Sequence, residues 1–144
     1  MKKIACFLLF MIVAIDSVYA QNKYAYKDVQ VFKQGMLASA REMTKSVPIQ
    51  INEIQTLKAI GVTENLITYS YEISEWDGRF MMTEDDIKQT KSLTALNILR
   101  SQQYLDLFLE CLRRTKFEYQ FIFFSEDKKY IGGFRLTYKD FIKK

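Results

Sequence analysis

The stretch Phe117-Glu118-Tyr119-Gln120-Phe121-Ile122-Phe123-Phe124-Ser125-Glu126-Asp127-Lys128-Lys129-Tyr130-Ile131-Gly132-Gly133-Phe134-Arg135-Leu136 decides the fold. Phe117, Tyr119, Phe121 and Phe123 alternate with Glu118 and Gln120, the two-residue period of a half-buried strand. Ser125 to Lys128 supplies turn-forming residues, and the return strand carries Tyr130, Phe134, Leu136 and Tyr138 at even spacing, which reads as a hairpin. The paired Gly132 and Gly133 imply a bulge, or a place where another part of the chain lies against the backbone.

Upstream, Ile67, Tyr69, Tyr71 and Ile73 alternate with Thr68, Ser70 and Glu72. Together with Gln55 to Val62 and the turn Thr63-Glu64-Asn65 they form a second hairpin. Val29, Phe32, Met36, Ala40 and Met43 recur at steps of three and four, one stripe of an amphipathic helix that Pro48 ends. Thr83 before Glu84, Asp85 and Asp86 is a helix start, with a capping hydroxyl and acids where the dipole favours them. That helix runs towards Leu99. A change of phase near Arg100 and Ser101 then opens another, with a buried face of Leu105, Phe108, Leu109 and Leu112 and with Arg113 and Arg114 at its carboxyl end. The order αββααββ predicts an α+β fold in which an antiparallel four-stranded sheet, built from the two hairpins, packs on helices along one face.

The first twenty residues have a separate purpose. Met1-Lys2-Lys3, an apolar run from Ile4 to Ile15 and Asp16-Ser17-Val18-Tyr19-Ala20 match the three regions of a secretory signal peptide. The run is about half the roughly 20 residues that span a bilayer, so no stable membrane anchor is expected. Cleavage after Ala20 delivers residues 21–144 as one α+β domain to the periplasm or the medium. Cys6 lies near the start of the apolar run instead of after it, which is the wrong place for lipid attachment. Of the two cysteines only Cys111 follows the signal, so no intramolecular disulfide is available to the mature chain, and its apolar neighbours predict a buried thiol.

Composition removes several functions. The chain has no histidine, and so lacks the usual general base, nucleophile activator and metal ligand. A net charge of +4 over the whole chain is too mild to indicate nucleic acid. The strand aromatics resemble a base-stacking platform in type, yet their spacing is that of a face packed on helices. The adjacent acids Asp85-Asp86 and Glu126-Asp127 suit a cap and a turn better than acid–base work. Glu75-Trp76-Asp77-Gly78 offers too few oxygens for calcium, and no glycine-rich phosphate loop opens a helix. No catalytic, cofactor or metal residue is therefore assigned. Trp76, Phe80, Met81 and Met82 remain as the candidate partner-binding group, with folding back as a lid on the core as the other reading of that segment.

From the Pro48 region to Phe141 the chain resembles the small periplasmic domains that include the disulfide-containing pilotins of type II secretion systems. The likeness lies in layout: an initial helix, a segment like Leu66-Ile67-Thr68-Tyr69-Ser70-Tyr71-Glu72-Ile73, a broken helical region, and a hairpin like Phe117-Glu118-Tyr119-Gln120-Phe121 that ends near Thr137-Tyr138-Lys139-Asp140. The resemblance implies a protein that holds a short helical tail of a secretin. Such pilotins are lipoproteins, and this chain has no lipid-attachment cysteine after its apolar run. The related domains also tie the bent helix to the carboxyl end by a disulfide, which falls near Leu99 and Phe141 here; both cysteines are missing together, and an apolar pair stands in their place. Phe141 and Ile142 are then expected to dock to hold the carboxyl end. The expected function is a non-enzymatic module that binds a protein partner, a helix or strand laid against the sheet and helix face, with an accessory role in a secretion or pilus system as its setting. A secreted effector or inhibitor is the alternative, and an enzyme the remote one.

Overall fold

The structure, a computed structural model, describes residues 24–142; the signal peptide and its cleavage site fall outside the described residues. Helix α1 (Tyr26–Met43) is followed by β1 (Ile49–Gln50), β2 (Gln55–Val62) and β3 (Leu66–Ile73). Then come α2 (Glu84–Ser101), α3 (Leu105–Thr115), β4 (Glu118–Ser125), β5 (Tyr130–Leu136) and a short α4 (Tyr138–Ile142).

The strands form one sheet in the order β1-β2-β3-β4-β5. Both expected hairpins are present, β2 with β3 and β4 with β5, each antiparallel. The expectation of a purely antiparallel four-stranded sheet is corrected in two respects. The two hairpins join through β3 and β4, which run parallel, and the two-residue β1 adds an edge against Thr56 and Leu57. Hairpin signals in a sequence fix the pairing within each hairpin. They say nothing of how two hairpins meet, and the long crossover through α2 and α3 permits the parallel arrangement.

That parallel register sets the core. It places Ile67 beside Tyr119, Tyr69 beside Phe121 and Tyr71 beside Phe123. The rings stack sideways, with centroids 5.3 Å apart for Tyr69 and Phe121 and 5.6 Å for Tyr71 and Phe123, and Phe134 of β5 extends the row at 5.1 Å from Phe121. Each such pair contributes about 0.5–1.5 kcal/mol beyond area burial. The helices cover this face, with Leu37, Ala40, Ala95, Phe108, Leu112 and Phe141 in the same cluster. The opposite face is polar in part, where Thr68 donates to Gln120 and Arg135 pairs with Glu118.

Both glycine readings hold. The β4–β5 register shifts between Phe123 and Phe124, and Met82 lies against Gly132, where an added Cβ would meet its Sδ at 3.0 Å. The even spacing of the return strand does not extend to Tyr138, which opens α4 instead, and Tyr130 at its start is half exposed. In α3 the buried residues are Phe108, Cys111 and Leu112, whereas Leu105 is exposed at the helix start. Cys111 is fully buried, and burial pushes its thiol pKa up, so the sulfur is held as an unreactive thiol while the chain is folded.

In α1 the buried stripe is Val29, Lys33, Leu37 and Ala40, rotated from the one read in the sequence. Phe32 and Met36 pack against the rim of the core, and Met43 is exposed. Apolar periodicity could not reveal Lys33, which is only 3% exposed and donates from Nζ to Asn65 Oδ1 in the β2–β3 turn at 3.0 Å. At the other end Phe141 is buried and meets Phe108 edge-on at 5.4 Å, while Ile142 stays half exposed. Leu99 packs on the same cluster, so both residues of the expected apolar pair lie on the core. Asp140 anchors α4 by accepting from the Thr137 amide at 2.8 Å and from Lys91 at 3.2 Å.

Asn65→Ala leaves the Lys33 ammonium without its acceptor and is expected to destabilise the fold by about 1–3 kcal/mol in denaturant titration, with Lys33→Met in the same chain restoring most of the loss. Asp140 is partly buried, which opposes ionisation, but the Thr137 amide and Lys91 outweigh this and hold its pKa below the ordinary carboxylate value. Its contribution is therefore complete above the unfolded-state pKa and is lost as pH falls through the lower folded value. Acid titration of Asp140→Asn is expected to show a shallower loss of stability in that low-pH window than the parent.

Candidate functional site

The group expected from sequence divides in two. Trp76 packs on the core and donates from Nε1 to the Phe80 carbonyl at 2.8 Å. Met82 also packs inward, and its amide donates to the Ile131 carbonyl of β5 at 2.7 Å. These two belong to a strap that closes the β5 edge, the lid reading of the segment. Phe80 and Met81 point the other way and are 62% and 56% exposed, with the Arg79 guanidinium 5.8 Å from the Phe80 ring. The strap is held by Gly78, whose missing side chain makes room for the Asp127 carboxylate and Ser125.

The acidic pairs have structural partners. Thr83 Oγ1 accepts from the Asp86 amide at 3.0 Å while Asp86 Oδ2 accepts from the Thr83 amide at 3.1 Å, a reciprocal cap on α2. Asp127 accepts from Ser125 and faces Lys129 at 3.6 Å. No three acidic or sulfur side chains converge on a metal position among the described residues.

A concave feature lies elsewhere, above the aromatic row and between α1 and α2. It has two lobes, about 560 Å³ beneath α2 and about 480 Å³ beside α1, which share Tyr69, Tyr119 and Gln102. We refer to them together as the inner groove. Not one residue lining either lobe carries a charge, in a chain whose residues are 26% charged. The groove therefore offers no ionic partner to a charged ligand group.

Its chemistry follows from three elements. The floor is the ring row, and Tyr119 is tied to the α1 wall by its hydroxyl, which donates to Met36 Sδ at 3.7 Å. Burial pushes up the phenol pKa of Tyr69, and burial together with the neighbouring Tyr69 pushes Tyr71 up to about 12. Both stay neutral donors. Neither hydroxyl has a hydrogen-bond partner among the described residues, and no buried polar atom is left unsatisfied, so both reach the open groove. The α2 wall presents hydroxyls that are already used: Thr90 donates to the Asp86 carbonyl and Thr94 to the Thr90 carbonyl, each at 2.7 Å. The α1 wall presents Phe32, Met36 and Met43, the stripe the sequence assigned to the core, with Gly35 between them.

Gly35 sits in mid-helix, and a Cβ there would meet nothing within 4 Å. A helix-interior glycine costs about 1 kcal/mol relative to alanine. Packing in the free chain does not require it, and it leaves the α1 backbone bare where a bound segment would approach. Sequence reasoning passed over this position because a lone glycine in a helical pattern carries no signal until its surroundings are known.

Searches with the whole chain return no matching family model and no matching curated protein. Solved structures do match. A candidate secreted protein of Pseudomonas aeruginosa superimposes with a TM-score of 0.55 at 16% identity, covering 81% of this chain and 97% of the other. The pilotin EpsS of the Vibrio vulnificus type 2 secretion system superimposes with a TM-score of 0.56 at 9% identity, covering 82% of this chain and 99% of the other. The fold is pilotin-like, as the layout of the sequence implied. At such identities the likeness speaks for the fold alone.

Gly35→Ala is expected to raise stability by about 0.5–1 kcal/mol in thermal or denaturant unfolding, through helix propensity and without rearrangement. A loss of stability instead would show that the bare backbone serves the fold.

Proposed function

We propose that the chain is a non-enzymatic module of the periplasm or medium, released by cleavage after Ala20 as one domain at residues 21–144, and that it receives an amphipathic helix of a partner protein in the inner groove. The observation that carries this reading is the charge-free groove with its aromatic floor and the uncovered backbone at Gly35. From Phe32 to Met43 the α1 wall extends roughly 17 Å at the helical rise, about three turns of a docked helix. Apolar anchors at three- and four-residue steps would fill the two lobes, and the free Tyr69 and Tyr71 hydroxyls would take up polar groups at its margin. The pilotin fold makes an accessory role in a secretion or pilus system the natural setting, with the helical tail of a secretin as the partner. Phe80 and Met81 are proposed as a secondary contact on the same partner. The likeness to a candidate secreted protein favours release into the medium as the second reading, and cell fractionation separates the two.

The test is fluorescence anisotropy with labelled peptides for the carboxyl-terminal helices of the secretins made by the same cell. One of them is expected to bind, with Ser39→Trp in the groove wall weakening it at least about tenfold, roughly 1.4 kcal/mol or more. Paired Phe80→Ala and Met81→Ala substitutions are expected to weaken it by a smaller factor. Equal binding by the Ser39→Trp chain would remove the groove from consideration, and binding to none of the peptides would remove the secretin partner.

A further inference from the structure

Helix α2 (Glu84–Ser101) turns Ala95, Ile98 and Leu99 to the core. At 3.6 residues per turn, the stripe opposite Ile98 is Asp85, Gln89, Leu93, Leu96 and Arg100, all within about 40° of one line along the helix. All five are exposed. A surface helix ordinarily keeps this side polar, yet here the middle of the stripe is apolar, with Leu93 57% and Leu96 40% exposed.

The charges stand at its two ends, Asp85 in the first turn and Arg100 in the last. Asp86 closes the Thr83 cap, which leaves the Asp85 carboxylate uncommitted. Neither the Asp85 nor the Arg100 side chain has a hydrogen-bond or ion-pair partner among the described residues. Each suits its own end of the helix dipole, but the dipole gives no reason for the two leucines between them.

An acid at one end, a base at the other and an apolar middle make a stripe that is complementary to its own reverse. We propose that it is a self-association surface, on which α2 of a second copy lies antiparallel. Two-fold symmetry centred between Ser92 and Leu93 sets Asp85 against Arg100 of the second copy, Gln89 against Leu96 and Ser92 against Leu93, every contact occurring twice. Lys88, beside the stripe, then faces Asn97, and no like charges meet. A parallel arrangement would set Asp85 on Asp85, Lys88 on Lys88 and Arg100 on Arg100. Charge thus selects both the occupant and its direction. Of the five residues only Leu93 also borders the inner groove, so the proposal does not rest on the reading of that groove.

From Asp85 to Arg100 the stripe is about 22 Å long. A single helix pair of that length buries less than the roughly 1,200 Å² at which standard interfaces begin, which places the dimer among weak, reversible ones.

Sedimentation velocity of residues 21–144 is expected to show a dimer that grows as concentration rises from about 10 µM to about 1 mM. Leu96→Lys brings an ammonium onto the apolar middle at two symmetric places and is expected to weaken association at least about tenfold. Asp85→Arg and Arg100→Asp each set like charges together at both ends and are each expected to weaken it roughly fivefold or more. Mixing these two variant chains restores attraction at both ends, so a heterodimer as tight as the parent dimer is expected, and one chain carrying both substitutions is expected to associate like the parent. Direction is read by disulfide capture, with buried Cys111 left in place: a Gln89→Cys chain is expected to crosslink to a Leu96→Cys chain faster than to itself. A chain that stays monomeric at the top of the concentration range, or a dimer indifferent to Leu96→Lys, overturns the proposal. So does association that is lost in both charge variants and not recovered on mixing, or faster crosslinking of Gln89→Cys to itself. Should circular dichroism show Leu96→Lys unfolded, Leu96→Ser gives the same comparison.

Discussion

The parallel pairing of β3 with β4 is the constraint on which the rest of the molecule depends. Parallel neighbours cannot be joined by a tight turn, so the chain must leave the end of β3 and travel back over the sheet before β4 begins. The strap, α2 and α3 are that return path. The same register aligns Tyr69 with Phe121 and Tyr71 with Phe123, so the rings form a continuous floor under the crossover. α3 and α1 seat on this floor through Phe108, Leu112, Leu37 and Ala40, and α2 through Ala95, Ile98 and Leu99. A groove between α1 and α2, floored by the ring row, is the direct result.

Much of the secondary structure was legible because it follows from local alternation and capping. Thr83 with Asp86, the two hairpins and the Gly132-Gly133 irregularity could all be read from residues close in sequence. What was not legible depends on which elements meet. The parallel junction, the edge strand β1 and the conversion of Tyr138 from strand to helix are tertiary outcomes. The candidate partner-binding group divides for a similar reason. Exposed-looking Trp76 and Met82 turned inward, while Phe32 and Met36, counted as core, became the wall of a groove. Apolar periodicity identifies a face that avoids water, and that face can be met by a partner as well as by the chain itself.

The carboxyl end is held by packing, without a covalent tie among the described residues. A disulfide in a small domain is worth about 2–5 kcal/mol, and removing a buried phenylalanine side chain costs about 3–5 kcal/mol. Phe141, edge-on to Phe108 and Tyr119, is of the right size to hold α4 by itself. The two solutions differ in stiffness. A covalent link fixes the distance between the helix and the tail, whereas a packed ring with an Asp140–Lys91 pair lets the two adjust.

The strap that turned Trp76 and Met82 inward also bears on how the molecule behaves at high concentration. A mixed sheet has two open margins, each a template for pairing with another copy. At one margin the Met82 amide occupies the Ile131 carbonyl. At the other, β1 is only two residues long, and the strand behind it is bulged between Leu57 and Ala59 with charged Lys58 at the irregularity. Each margin is therefore interrupted among the described residues. The loop that looked in sequence like a surface for recruiting partners thus also interrupts one margin at which the chain could pair with another copy.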